Sequence, residues 1–214
     1  MRRGLLALAL VLSAVASAEP CRLEPCSLKS CRLEPCHLSY WQTATDGRFI
    51  VKTASAADSE LLGAVFATLE QAECELRQDW NLRLPETVTV RIHPTLASFQ
   101  DVTAQPWFVA ASADRGARRL EFQRLRVLTE RHSLSLTLRH ELFHLAQPQA
   151  WPRWRAEGSA MRFAGERPHA PPFDDMNEAE LNARLAAPDS SAALERAAAT
   201  AWLWVGRPGF AGSQ

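Results

Sequence analysis

The stretch 134–145 is apolar at Leu134, Leu136, Leu138, Leu142, Phe143 and Leu145, yet it also holds His140, Glu141 and His144. That conflict constrains the fold more than any other feature of the chain. Residues 132–147 read as one buried helix, stopped by Pro148. Two imidazoles and a carboxylate are costly to bury without partners, so the fold has to supply them. Positions i and i+4 lie one above the other on a helix. His140 and His144 can therefore offer two ring nitrogens to one metal ion. Glu141 sits one step round the helix, within reach of a water on that ion but not placed as a third ligand. The alternative is a partly exposed helix whose His and Glu are solvated or salt-bridged.

Downstream, residues 152–160 read Pro-Arg-Trp-Arg-Ala-Glu-Gly-Ser-Ala. Glu157 falls near the start of the next helix, after a Pro-containing turn at 148–152. A helix–turn–helix of this length can fold back on itself and bring Glu157 to face the two histidines. Two His, one Glu and an open position for water form a catalytic zinc set, and H-E-x-x-H with such a ligand is the pattern of a zinc metallopeptidase. A glutamate favoured by the helix dipole would sit in the same place, and the two readings are compatible. The residues after His144 hold no third histidine at metzincin spacing, which excludes that scheme. One zinc ion is expected, with His140, His144 and Glu157 as ligands and Glu141 as general base.

The combination R-H-E-L-x-H, a short linker and P-R-W-x-x-E-G-x-A resembles the peptidase MA-like gluzincins, the thermolysin-type zincins. Residues 48–52 and 87–92 resemble the first two strands of that fold, and 94–99 the start of the following helix. The resemblance spans roughly 48–165. It implies zinc held by His140, His144 and Glu157, catalysis through Glu141, and an edge strand beside the active-site helix that pairs with substrate backbone. Residues 120–124 are the candidate for that edge; an ordinary edge strand blunted by Arg118, Arg119 and Arg124 is the other reading. Thermolysin-like enzymes often use Tyr or His against the oxyanion. The single tyrosine, Tyr40, lies outside the matched stretch, which leaves His169 and Arg153 as substitutes.

The two ends carry different information. Arg2 and Arg3, an apolar run at 5–15 and Ala16-Ser17-Ala18 read as a secretory signal cleaved after Ala18, the run being short for a membrane span, with an uncleaved anchor as the alternative. Pro20 before Cys21 argues against a lipoprotein site. The mature chain is then expected to be secreted or periplasmic. With 24 basic and 24 acidic residues the chain has no net charge, so nothing electrostatic favours nucleic acid. Cys21, Cys26, Cys31 and Cys36 mark a pentad repeat. In an oxidising compartment four such thiols pair, with three connectivities open. Metal binding by the same four, with His37, is an alternative; so is an insertion without a catalytic role. Cys74, left over, reads as a small buried hydrophobe on a helix.

The expected organisation is a signal peptide (1–18), a Cys-rich linker (19–40), a zincin-like catalytic domain (41–168) and a helical C-terminal extension (169–214). The fold class is α+β, with a small mixed or antiparallel sheet packed on the H-E-x-x-H helix and a following Glu-bearing helix. Residues 48–52, 87–92, 107–111 and 119–124 read as strands. A capping-box-like start at Ser55 leads into one long amphipathic helix to about Trp80. Residues 94–101, 177–186 and 191–205 read as further helices, and Trp202 and Trp204 can pack on the core. His132 reads as a helix-start residue, with a supporting role behind the ligands as the alternative; His93 is assigned nothing. Peptide or protein substrates fit this reading. A non-catalytic secreted module with a structural zinc is the alternative, and it requires a fourth ligand such as Asp174 or Asp175.

Overall fold

The computed structural model describes residues 41–207. The signal peptide, the pentad repeat and most of the tail lie outside these residues. Five strands and eight helices are present among them: β1 Gln42–Asp46, β2 Phe49–Thr53, α1 Ala56–Ser59, α2 Leu62–Asp79, β3 Val88–Ile92, α3 Leu96–Thr103, β4 Ala111–Asp114, β5 Arg119–Phe122, α4 Leu125–Glu130, α5 Leu134–Ala146, α6 Arg153–Ala164, α7 Glu178–Ala186 and α8 Ser191–Val205. The strands form one mixed sheet in the order β1-β2-β3-β5-β4. β2, β3 and β5 run parallel, and β1 and β4 are antiparallel edges.

Alternation in the central strands turns Phe49, Val51, Val88, Val90, Ile92, Leu120 and Phe122 to one side. There they join Val65, Phe66, Leu69 and Leu76 of α2 and Leu138, Leu142, Phe143 and Leu145 of α5 in a single core. The other face is polar. Lys52, Arg91 and Glu121 lie in register across it. Glu121 is only 2% exposed. It accepts a 2.7 Å hydrogen bond from His93 Nε2 and pairs with Arg91 and Arg119. His93 is thus a buried structural partner far in sequence from the histidine pair.

Several expectations are corrected. The edge beside α5 is β4, not residues 120–124. Leu120, Glu121 and Phe122 are buried on both faces of the sheet, as an interior strand requires, with β3 on one side and β4 on the other. The arginines that suggested a blunted edge lie elsewhere in role. Arg118 is in the β4–β5 turn with φ 53°, Arg119 pairs with Glu121 and Asp114, and Arg124 precedes α4. The strand expected at 107–111 begins only at Ala111, because Val109 N–H bonds to the Pro106 carbonyl and closes a turn at Trp107-Phe108. The long helix expected from Ser55 is two helices. Ser55 makes no side-chain cap; Asp58 is fully buried, and its Oδ1 accepts from Arg126 N–H at the start of α4. Cys74 is disulfide-bonded and half-buried. It lies on the side of α2 turned away from the fully buried Ala72 and Leu76, so it is not a core thiol.

The histidine helix is held from three directions. Arg139, next to His140, pairs with Glu75 of α2 and donates to the Phe163 carbonyl of α6 at 2.7 Å. One guanidinium thereby joins α2, α5 and α6. On the far side of α6, Trp154, Leu181, Leu185, Ala197 and Ala201 form a second core, with Trp204 stacked edge-on to Trp154 at 5.4 Å. Asn182 Oδ1 accepts from Trp154 N–H at 2.9 Å, capping α6 from α7 where Pro152 provides no side-chain cap. α6 and α8 touch at Gly158, where a Cβ would stand 2.4 Å from the Ala201 carbonyl oxygen and 2.7 Å from its carbon. That neighbour is backbone and cannot rotate away. Gly158→Ala is expected to separate the two helices and cost about 1–3 kcal/mol, read as a fall in Tm. An unchanged Tm would show that the interface has room.

Candidate metal centre

α5 carries His140 and His144 one turn apart, their ring centroids 4.8 Å from each other. α6 packs back against α5, as the short Pro-containing connection suggested, and brings Glu157 opposite them. Glu157 Oε2 lies 3.4 Å from His140 Nε2 and 3.5 Å from His144 Nε2. Ligands held about 2.0–2.1 Å from a common tetrahedral centre stand roughly 3.3–3.4 Å apart. Both spacings from Glu157 fit a shared zinc-sized ion, and the three donor atoms all lie within 4.8 Å of one another. The group has three members, with no fourth His, Cys, Asp or Glu joining it among the described residues. Asp174 and Asp175 are exposed and do not line the cleft at this site.

The remaining ring nitrogens are also satisfied. His140 Nδ1 donates to Glu166 Oε2 at 3.1 Å, and His144 Nδ1 donates to Gln147 Oε1 at 3.1 Å. Each bond occupies Nδ1, so Nε2 is the nitrogen of each ring that faces Glu157 and would be the one to bind a metal. Neither Glu166 nor Gln147 was singled out from the sequence. Gln147 sits three residues after His144, at the end of α5, and its spacing was a usable signal. Glu166 follows Gly165, whose left-handed φ of 80° turns the chain back at the end of α6; nothing local marks it.

Electrostatics follow from burial and from the opposed charges. Burial alone would lower the His140 pKa, but the carboxylates of Glu166 and Glu157 outweigh it and hold the ring well above its usual value. Burial would raise Glu157, but the facing histidines outweigh it and hold the carboxyl well below the usual range. Glu141 differs. It is 9% exposed, and burial pushes its pKa up, which suits a proton acceptor more than a fixed anion.

These residues open on a cleft of about 1030 Å³. Its walls come from β4, from α5 and α6, from the loop that carries Glu166 and His169, and from Leu185, Leu194 and Ala198 of the C-terminal helices. Arg115 in the β4–β5 turn donates to the Gln147 carbonyl, tying the end of the histidine helix to the sheet edge. Arg153 lines the cleft with Nε 3.6 Å from Glu157 Oε1, and His169 lines it from the loop. His132 is exposed with a left-handed φ of 54° just before α5, and it plays no part behind the ligands.

Fold and site together define a small mixed α+β protein with a two-histidine, one-carboxylate cluster at the floor of an open cleft. No protein-family model matches the chain, and neither a curated protein nor a solved structure matches it. Among the described residues no helix is long and apolar enough to cross a membrane.

Proposed function

We propose that this protein is a zinc-dependent peptidase of the thermolysin-type gluzincin kind, hydrolysing a peptide or related amide bond. The observation that carries the reading is the donor triangle of His140 Nε2, His144 Nε2 and Glu157 Oε2, with both Nδ1 atoms already engaged. Three ligands on an open cleft support a catalytic site over a structural one, which is closed by four. Zinc, when bound there, would bring the pKa of a water towards ~7 and polarise the scissile carbonyl. Glu141 takes one proton from the attacking water as the new C–O bond forms. It then passes that proton to the leaving nitrogen as the C–N bond breaks, giving an acid and an amine. Arg153, beside Glu157, and His169, on the cleft wall, are the side chains proposed to donate to the oxyanion. In zincins the edge strand by the histidine helix carries substrate backbone, and β4, the sheet edge against α5, is the strand proposed for that role.

A disulfide at Cys74 supports an oxidising compartment, so the substrates proposed are extracytoplasmic peptides or proteins. The test is cleavage of casein and of peptidoglycan peptides by the purified protein, before and after chelation. Activity is expected to vanish on chelation and return with one equivalent of zinc. Hydrolysis that ignores the chelator rejects the metalloenzyme.

A further inference from the structure

The chain leading into β4 lines the cleft at Gln105, Phe108, Val109 and Ala110. At its tip the turn closed by Val109 N–H and the Pro106 carbonyl, 3.0 Å apart, sets Trp107 and Phe108 at the corner. Two side-chain amides tie this turn from behind. Gln123 Nε2 donates to the carbonyls of Trp107 at 3.3 Å and Val109 at 2.7 Å, and Gln100 Nε2 donates to the Gln105 carbonyl at 3.4 Å. Trp107 is nonetheless 67% exposed, with its ring edge-on to Phe108 at 5.7 Å.

Single exposed apolar residues are ordinary and need no role. This one stands against Phe108, which lines the cleft. The turn is held by hydrogen bonds, so the backbone that carries the indole is fixed in place. The turn leads into the edge strand β4, and its Phe108 lines the cleft. An extended chain paired with β4 and continuing past Ala111 would reach this turn. A rigid aromatic ring beside a backbone-pairing edge is what side-chain recognition on such a chain needs.

We propose that Trp107 and Phe108 form an aromatic subsite that receives an apolar side chain of an extended polypeptide substrate, some residues away from the bond being cleaved. The inference takes its occupant from the peptidase reading, but its test does not depend on turnover. Zinc-loaded Glu141→Gln protein is titrated with labelled ten-residue peptides. One set places a single Phe at successive positions in an Ala/Ser/Gly background, and a control set has none. Phe at one position is expected to tighten binding about tenfold. Adding Trp107→Ala should remove that difference while zinc content and Tm stay the same. Discrimination that survives Trp107→Ala overturns the proposal, as does no discrimination in either protein. A third arm measures co-sedimentation with anionic phospholipid vesicles. If Trp107→Ala abolishes only that binding, the surface is a membrane contact and the subsite is rejected. Peptide discrimination without any hydrolysis by the wild-type protein would count against the peptidase reading and in favour of the subsite.

Discussion

Glu141→Gln is expected to keep one bound zinc and lose turnover by about 10²- to 10⁴-fold. Glu141 lies beside His140 on α5 but is not one of the three clustered donors. Its side chain lines the cleft, although the residue is only 9% exposed. Glutamine fills the same space, so the core around Leu138 and Leu142 should not shift. What is lost is an oxygen able to take a proton, and burial has already raised the Glu141 carboxyl towards that task. Metal content by mass spectrometry and turnover of a fluorogenic peptide are measured on the same preparation. Equal turnover in the two proteins would remove Glu141 from the mechanism.

His144→Ala is the second large effect, and it is expected to bring zinc content close to zero. Removing one of three ligands leaves a pair that cannot define a tetrahedral site, and it deprives the Glu157 carboxylate of one of its two facing histidines. The comparison with Glu166→Ala gives the result its meaning. That variant keeps all three donors and removes only the acceptor behind His140 Nδ1, so affinity should fall about 10- to 100-fold without loss of the site. Competition with a coloured chelator separates the two outcomes. Stoichiometric zinc in His144→Ala would show that the ion sits elsewhere.

Much of the helical part of the fold was legible in local pattern. The expected spans 177–186 and 191–205 nearly coincide with α7 and α8, because the Asn177 capping box and the Ser190 cap mark their starts. α5 and α6 were bracketed by Pro148, Pro152 and apolar spacing. The strands were less legible. β-branched residues announced β2 and β3, but Ala111-Ser112-Ala113-Asp114 carries no strand signature and forms β4 only because β5 offers it a ladder. The edge expected at 120–124 from the resemblance is an interior strand, since a strand's position in a sheet depends on partners distant in sequence. α4 was missed for a related reason. Its first turn is capped by Asp58, 68 residues away, and no residue near it announces the cap.

The same division holds at the site. A helical period places His140 and His144 on one face and Glu141 beside them, so the primary sequence set the positions of two proposed ligands and the proposed base through local geometry alone. Glu157 followed because a short turn between two helices leaves few ways to pack. Which ring nitrogens face the ion was decided only in three dimensions, by Glu166 Oε2 and Gln147 Oε1 holding the two Nδ1 atoms. So was the cleft, whose walls come from an edge strand near residue 111 and from helices beyond residue 180. A helix period carries over a few residues. The position of Glu166 depends on how α6 is held between α5 and α8, with Gly158 allowing that approach, and the position of β4 depends on its ladder with β5.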